Sequence, residues 1–348
     1  NYLDFTLENN KYCGQRKPGY RAYCHPAEYN GVPDSLYRNK GDGHFEDISV
    51  AAGIANPIGK GLGVIFTDIN DDGWQDIFVA NDMTTSFLYL NQKNGTFKDI
   101  TMTAGVGFSE SGMPYAGMGT DAADLNGDGR MDLIVTDLDY QTNQMYLNNG
   151  DLTFTDVSFR AGLHEPSFLK VGFGTKFFDY DNDGAPDLYI VNSGYVPGTT
   201  EMPSPGNVLY RNDGGGHFTD VTADSGTGDT GHGMAAAAGD YDNDGNQDLY
   251  VANFGKDVLY HNNGDGTFTD VTESAGIHNE LWGVAVAFLD FDLDGDLDLF
   301  VVNYLEYDLS MPPSTFKVLV GYGHPRTYKG TPDVLYRNDG HGKFTPVP

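Results

Sequence analysis

The sequence is short of positive charge. Lysine and arginine together number 20 against 50 aspartates and glutamates, a formal charge of −30 at pH 7 over 348 residues. Nucleic acid and anionic membranes are recognised by Lys and Arg, so neither fits as a partner, and cations become the natural ones. Long apolar runs are missing too, since none approaches the ~18 residues of a membrane span. No segment keeps a 3.6-residue apolar period over helical length. Cysteine and tryptophan occur only twice each. The chain opens on Asn1 with no secretory leader, which reads as a mature, processed or excised polypeptide. Aromatic residues, in contrast, are plentiful. The 22 Tyr and 21 Phe separate it from solvating acidic tails, which lack them, so the chain folds and buries a core.

The acids are concentrated in a repeat. DINDDGWQD begins at Asp68, DLNGDGRMD at Asp124, DYDNDGAPD at Asp179, DYDNDGNQD at Asp240 and DFDLDGDLD at Asp290, with starts 56, 55, 61 and 50 residues apart. A second motif interleaves with the first: DSLYRNKGDGHFEDI from Asp34, four relatives of it, and DVLYRNDGHGKF from Asp333. The order is a half-unit followed by five whole units. Repeats at this period mean radial or solenoid architecture.

Each unit reads as four short strands. In the fourth, Gly233 to Asp240 is small and apolar, Asp248 to Asn253 alternates, and Leu259 to Asn262 and Thr267 to Thr272 flank an Asn-Gly-Asp-Gly turn. That turn supplies the positive φ values a tight hairpin needs. Four-stranded antiparallel units repeated in this way predict an all-β fold, a β-propeller. Five full blades and an N-terminal half-blade are visible, and a six- or seven-bladed ring is expected when complete. The expected boundaries within a single domain 1–348 are 1–48 for the half-blade, then about 49–101, 102–158, 159–222, 223–272 and 273–348. A β-helix needs shorter repeats, and a sandwich would not repeat so regularly.

Carboxylates at alternate positions of a loop converge on one point, and a hard cation accepts that crowd of oxygens. Positions 1, 3, 5 and 9 supply the side chains: Asp68, Asn70, Asp72 and Asp76; Asp124, Asn126, Asp128 and Asp132; Asp179, Asp181, Asp183 and Asp187; Asp240, Asp242, Asp244 and Asp248; Asp290, Asp292, Asp294 and Asp298. Glycine at position 6 permits the sharp turn that offers the position-7 carbonyl, on Trp74, Arg130, Ala185, Asn246 or Asp296. This is the logic of the EF-hand loop, except that Asp at position 9 closes it and a strand follows. Asp, Asn and Gly also form turns unaided, but five repetitions of the full pattern favour calcium, about five ions. Magnesium, which holds octahedral geometry and its waters, suits the pattern less. The first two loops carry three carboxylates each and the other three carry four, 18 of the 50 acids. Weaker binding is expected at the first two, and five divalent ions would bring −30 to about −20.

The pairing of DxDxDGxxDL with a following LYRNxGxGxFxDV, and then with Ala104-Gly105-Val106 or Ala275-Gly276-Ile277, resembles the FG-GAP/VCBS repeats of integrin α-subunit propellers. It is closer still to bacterial and animal proteins of the cartilage acidic protein type. The resemblance spans essentially the whole chain. It implies a calcium-binding propeller, commonly seven-bladed, in secreted or cell-surface proteins that bind other macromolecules. It also implies the same Asp and Asn residues as calcium ligands. The C-terminal domain usual in the bacterial relatives is absent from this sequence, and there is no Arg-Gly-Asp.

The two ends of the chain match each other. Asn1-Tyr2-Leu3-Asp4-Phe5 parallels Asn303-Tyr304-Leu305-Glu306-Tyr307, and YCHPAEYNGVPDSLYRN from Tyr23 parallels YGHPRTYKGTPDVLYRN from Tyr322. The last unit owns all four of its strands, so the N-terminal half-blade is unpaired. Three readings stay open: a fragment lacking upstream blades, a half-blade that docks on another copy to give a head-to-tail filament, or an irregular closure by residues 1–48.

Cys13 and Cys24 enclose a short loop and are expected to form a disulfide. Gly323 stands where Cys24 would be in the last unit, which makes the bridge a local staple. A metal or haem site there is the alternative, although the spacing is too long for CxxCH. His25 and His324 sit in matched His-Pro turns and read as structural. Asn94-Gly95-Thr96 is a possible glycosylation sequon in a hairpin turn that wants Asn-Gly in any case.

Catalytic signatures are missing: no HExxH, no GxSxG and no phosphate-binding glycine loop. The carboxylate pairs are accounted for by cation ligation. The inserts before third strands, Asn1 to Pro33, Ser193 to Gly206 and Asn303 to Pro332, are richer in Pro, Tyr and Met than in titratable pairs, which suits contact surfaces. The expected function is that of a secreted or cell-surface calcium-binding propeller, a protein- or glycan-interaction, adhesion or assembly module in which calcium is structural. The alternative is a calcium-dependent polysaccharide lyase or hydrolase on a propeller scaffold.

Overall fold

The computed structural model describes residues 2–6, 8–14, 21–22, 24–109, 111–193, 205–307, 314–316, 319–321 and 328–348. Most of the insert from Ser193 to Gly206, much of that from Asn303 to Pro332, and His324 with Gly323 lie outside the described residues. Two compact units make up the chain. The first comprises Asn1–Met118, Asn149–Phe154 and Tyr307–Lys329; the second comprises Gly119–Asn148, Thr155–Glu306 and Gly330–Pro348.

The fold is an all-β propeller of five four-stranded antiparallel blades. Blade one is Gly61–Thr67, Asp76–Asn81, Phe87–Asn91 and Phe97–Asp99; blade two is Thr120–Ala123, Asp132–Val135, Gln144–Asn148 and Phe154–Asp156. Blade three is Gly172–Phe178, Asp187–Asn192, Val208–Asn212 and Phe218–Asp220. Blade four is His232–Gly239, Asp248–Phe254, Val258–Asn262 and Phe268–Asp270; blade five is Gly283–Leu289, Asp298–Asn303, Val334–Asn338 and Phe344–Pro346. The half-blade is a separate pair, Tyr37–Asn39 with Phe45–Asp47. The acidic loop lies between first and second strands, as the repeat order requires.

A short helical turn follows the fourth strand in four of the six units, for instance Thr101–Ala104 and Thr272–Ala275, each ended by a glycine in the left-handed region such as Gly105 at φ 80° and Gly276 at φ 84°. The FxDhT sequence explains the turn. Asp99 accepts from the Thr101 N–H, and the Thr101 hydroxyl accepts from the Leu88 N–H of the third strand. Asp270, Thr272 and Leu259 repeat the arrangement in blade four, and Asp47, Ser49 and Leu36 repeat it in the half-blade.

In the second unit adjacent sheets pack face to face, which is why second strands such as Leu249–Ala252 are apolar without a break. In the second unit, one cluster joins Ile134 and Met145 of blade two to Phe177 and Leu188 of blade three. A second joins Tyr189 and Leu209 to Leu249 and Val251, and a third joins Tyr250 and Leu259 to Leu299 and Tyr336. First strands approach almost backbone to backbone: a Cβ at Gly174 would lie 2.8 Å from the Ala235 Cα. No helix among the described residues is long and apolar enough to cross a membrane.

Candidate metal centres

All five acidic loops share one backbone. The position-1 carboxylate accepts the N–H groups of positions 5 and 6: Asp68 from Asp72 and Gly73, Asp179 from Asp183 and Gly184, Asp240 from Asp244 and Gly245, and likewise Asp124 and Asp290. The position-5 carboxylate accepts from the position-7 N–H, as Asp244 does from Asn246 at 2.8 Å. These bonds need positive φ at position 6, where Gly245 has φ 93°, a conformation that costs glycine nothing. Position 4 is left-handed as well, at Asp71, Asn182, Asn243 and Leu293.

The position-9 aspartates are fully buried and act as hubs. Asp248 Oδ2 accepts from the Tyr241 N–H at 3.1 Å, and its Oδ1 accepts from the Asn262 N–H at 2.8 Å, so one side chain ties the loop to the second and third strands. Asp76, Asp132, Asp187 and Asp298 do the same for Asn91, Asn148, Asn212 and Asn338. Burial, outweighing those donors, raises the pKa of Asp76, and that of Asp132 to about 6, Asp187 to about 7 and Asp248 to about 8.

Position 3 separates the loops into two kinds. In blade three, Asp179, Asp181 and Asp187 bring ligand atoms within 4.8 Å of one another; Asp240, Asp242 and Asp244 do so in blade four, and Asp290, Asp292 and Asp294 in blade five. Asp181 Oδ1 and Asp242 Oδ1 are buried with no hydrogen-bond partner. Burial first, then the neighbouring Asp183 and Asp244, push these two carboxyls up. An orphaned, crowded carboxylate oxygen is what a hard divalent cation satisfies, so these residues fit such an ion. In blades one and two, no three carboxylates among the described residues converge as closely. There Asn70 donates to Asp72 at 3.0 Å and Asn126 accepts from the Asp128 N–H. Cationic side chains stand alongside: Lys93 Nζ lies 3.1 Å from Asp72, and Arg130 turns back onto Asp128.

Blade four holds a residue that spacing did not reveal. His261 Nδ1 lies 3.3 Å from both Asp242 Oδ2 and Asp248 Oδ1. The signal was available, since His261 occupies a third-strand position that is Leu90, Leu147, Arg211 or Arg337 in the other blades. Position-7 residues carry a further function, because Asn182 donates to Asn246 at 2.9 Å and Asn243 donates to Asp296 at 2.8 Å, joining adjacent loops of blades three, four and five.

Away from the loops, Cys13 and Cys24 form a disulfide. His25 accepts from the Ala27 N–H at 3.1 Å at the head of a short helical turn, a structural use of the imidazole. Asn94 sits in an exposed hairpin turn with its Oδ1 bonded to Thr96.

Blades with acidic loops at the junction of first and second strands define a repeat propeller with candidate cation sites. The model of the FG-GAP-like repeat matches residues 27–79, 68–135, 124–190, 179–251 and 240–301, and the chain belongs to that family. It is 27% identical over 228 residues to cartilage acidic protein 1 of mouse, covering 64% of this chain and 33% of the relative. It is also 27% identical over 259 residues to the human protein of that name, covering 69% and 37%. The chain thus spans about a third of the length of these relatives. Among solved structures it is similar to an Agrocybe aegerita lectin that recognises non-reducing terminal N-acetylglucosamine, with a TM-score of 0.51 and 19% identity over 90% of this chain and 73% of the lectin.

Proposed function

We propose that this chain is an extracellular interaction or assembly module whose blades are braced by calcium, one ion in each acidic loop, with calcium structural and not catalytic. The observation that carries the reading is the pair of buried, partnerless oxygens on Asp181 and Asp242 inside converging carboxylate sets. The ions would be held by positions 1, 3, 5 and 9 and the position-7 carbonyl, with calcium supplying the positive charge those carboxylates lack. Because the position-9 aspartate also gathers the second and third strands, neutralising the loop strengthens the blade.

The partner is proposed to be a protein or a glycan. The relationship to cartilage acidic protein 1 supports an extracellular setting, and a propeller neighbour that is a lectin supports a glycan as one class of ligand. Thermal melting in calcium against excess chelator tests the calcium reading. Each site filled at a hundredfold excess over its Kd stabilises by about 2.7 kcal/mol, so a large fall in Tm on chelation is expected, restored by calcium more than by magnesium. An unchanged Tm overturns it.

A further inference from the structure

The half-blade is built like the outer half of every other blade yet is exposed where they are buried. Tyr37 is 56% exposed, whereas its equivalent in blade five, Tyr336, is 3% exposed. Phe45 stands in the same contrast to Phe344. Among the described residues, Tyr37–Asn39 pairs only with Phe45–Asp47, whereas Val334–Asn338 also pairs with a second strand through Val301↔Val334, Phe300↔Leu335 and Leu299↔Tyr336.

Blade one shows the complementary deficit. In blade five, Val286 and Phe288 of the first strand pack on the core shared with blade four. Their equivalents in blade one, Val64 and Phe66, are 60% and 53% exposed. Together with Leu36, Ile77 and Tyr89 they line a groove of about 220 Å³. The entrance is marked by a shared geometry: Leu3 bridges Gly31 as Leu305 bridges Gly330, and the Val32 N–H donates to the Tyr2 carbonyl as the Thr331 N–H does to that of Tyr304. In blade five the residue before Tyr304 is the end of the second strand, Asn303.

We propose that this groove is a docking slot for one occupant, an inner β-hairpin of this repeat's own type whose second strand runs into Tyr2. The register follows from blade five: the hairpin sets the equivalents of Val301, Phe300 and Leu299 opposite Ser35, Leu36 and Tyr37, and its first strand covers Val64 and Phe66. The edge is ready for it. The Leu36 N–H is donated to Ser49 Oγ and the Leu36 carbonyl accepts from the Ile48 N–H, so strand alternation points the Tyr37 N–H to the opposite side. A second copy of the chain is the poorer occupant, because all five of its inner strand pairs are already held by their own third strands.

The test places a copy of residues 283–302 ahead of Asn1 in the full chain, so that Val302 precedes Asn1 as it precedes Asn303. A rise in Tm on the order of 5 °C, slowed hydrogen exchange at the Tyr37 amide and loss of apolar-dye binding are expected. A fused hairpin carrying Leu299→Asp and Val301→Asp should lose all three gains. Unchanged Tm and continued fast exchange at Tyr37 with the unaltered hairpin overturn the proposal. So does reversible dimerisation of the unfused chain that is abolished by Phe66→Asp and by Val64→Asn, which would give the slot to a second copy.

Discussion

Asn262 Nδ2 donates to the backbone carbonyl of Tyr180 at 2.8 Å, reaching from the third strand of blade four into the acidic loop of blade three. The same amide donates to the Gln247 carbonyl, while the Asn262 N–H is held by Asp248. Asn212 and Asn338 make the equivalent reach to Leu125 and Tyr241 at 2.9 and 2.7 Å. The Asn of each LYxN motif in blades three to five therefore couples a blade to the loop before it.

Asn262→Ala removes both donors and leaves the Tyr180 and Gln247 carbonyls without them. At about 1–3 kcal/mol for each buried group left unsatisfied, a loss of about 2–4 kcal/mol is expected in urea denaturation with calcium held saturating. Asn263→Ala, next in the chain and exposed on the hairpin, should stay within about 0.5 kcal/mol. Equal midpoints for the two variants would show that the reach between blades contributes nothing.

On the proposed calcium reading, position 3 is expected to set a trade between the unloaded and loaded protein. Asp242→Asn replaces a crowded carboxylate by an amide that can donate to Asp244, as Asn70 does to Asp72. The variant should melt higher than wild type in chelator and bind calcium more weakly, by on the order of tenfold at that site, about 1.4 kcal/mol. Asn70→Asp should do the reverse. Calorimetric titration beside melts in chelator reads both effects, and movement of both in the same direction would contradict the like-charge account.

The loops were legible in the sequence because their chemistry recurs at fixed spacing. Asp at positions 1, 5 and 9 and Gly at position 6 survive in all five copies, and strands assigned around them in blade four agree closely with His232–Gly239, Asp248–Phe254, Val258–Asn262 and Phe268–Asp270. Position 4 was legible in part: Asp71, Gly127, Asn182 and Asn243 are types that accept the left-handed backbone, whereas Leu293 at φ 63° shares that backbone with no such side-chain preference. The short helical turns escaped because four residues are barely one turn of an apolar period; only the FxDhT pattern and the glycine after it announced them. His261 escaped because its meeting with Asp242 depends on strand register, which fixes which residues face the loop.

The Cys13–Cys24 bridge lies in the insert before the half-blade and joins residues 11 positions apart in sequence. None of the four-stranded sheets includes either cysteine. Reduction, or Cys13→Ala with Cys24→Ala, should therefore raise proteolytic cleavage within residues 1–33 severalfold while the main melting transition moves by no more than about 1 °C. The chain-entropy benefit of a loop this size, about 3 kcal/mol, is lost to local opening of the insert, which precedes unfolding of the blades. A main transition that falls by many degrees would show that the insert and the blades unfold as one.

Asp137, just past the second strand of blade two, is buried with both carboxylate oxygens lacking a partner. Burial holds its pKa well above the usual carboxylate range. A carboxyl whose pKa is raised on folding binds its proton more tightly in the native state. Its contribution to stability is therefore complete below the unfolded value near 4 and is lost as pH climbs toward the folded one. While that difference persists, the slope approaches about 1.4 kcal/mol per pH unit from this group alone. Asp137→Asn keeps the shape and removes the charge that must be desolvated. With calcium saturating, so that the loop carboxylates stay ionised, wild type should lose stability relative to Asp137→Asn as pH rises from 5 to 8, the two converging toward pH 4. Parallel stability curves across that range would mean that Asp137 is ionised at no cost, through a partner that compensates its burial.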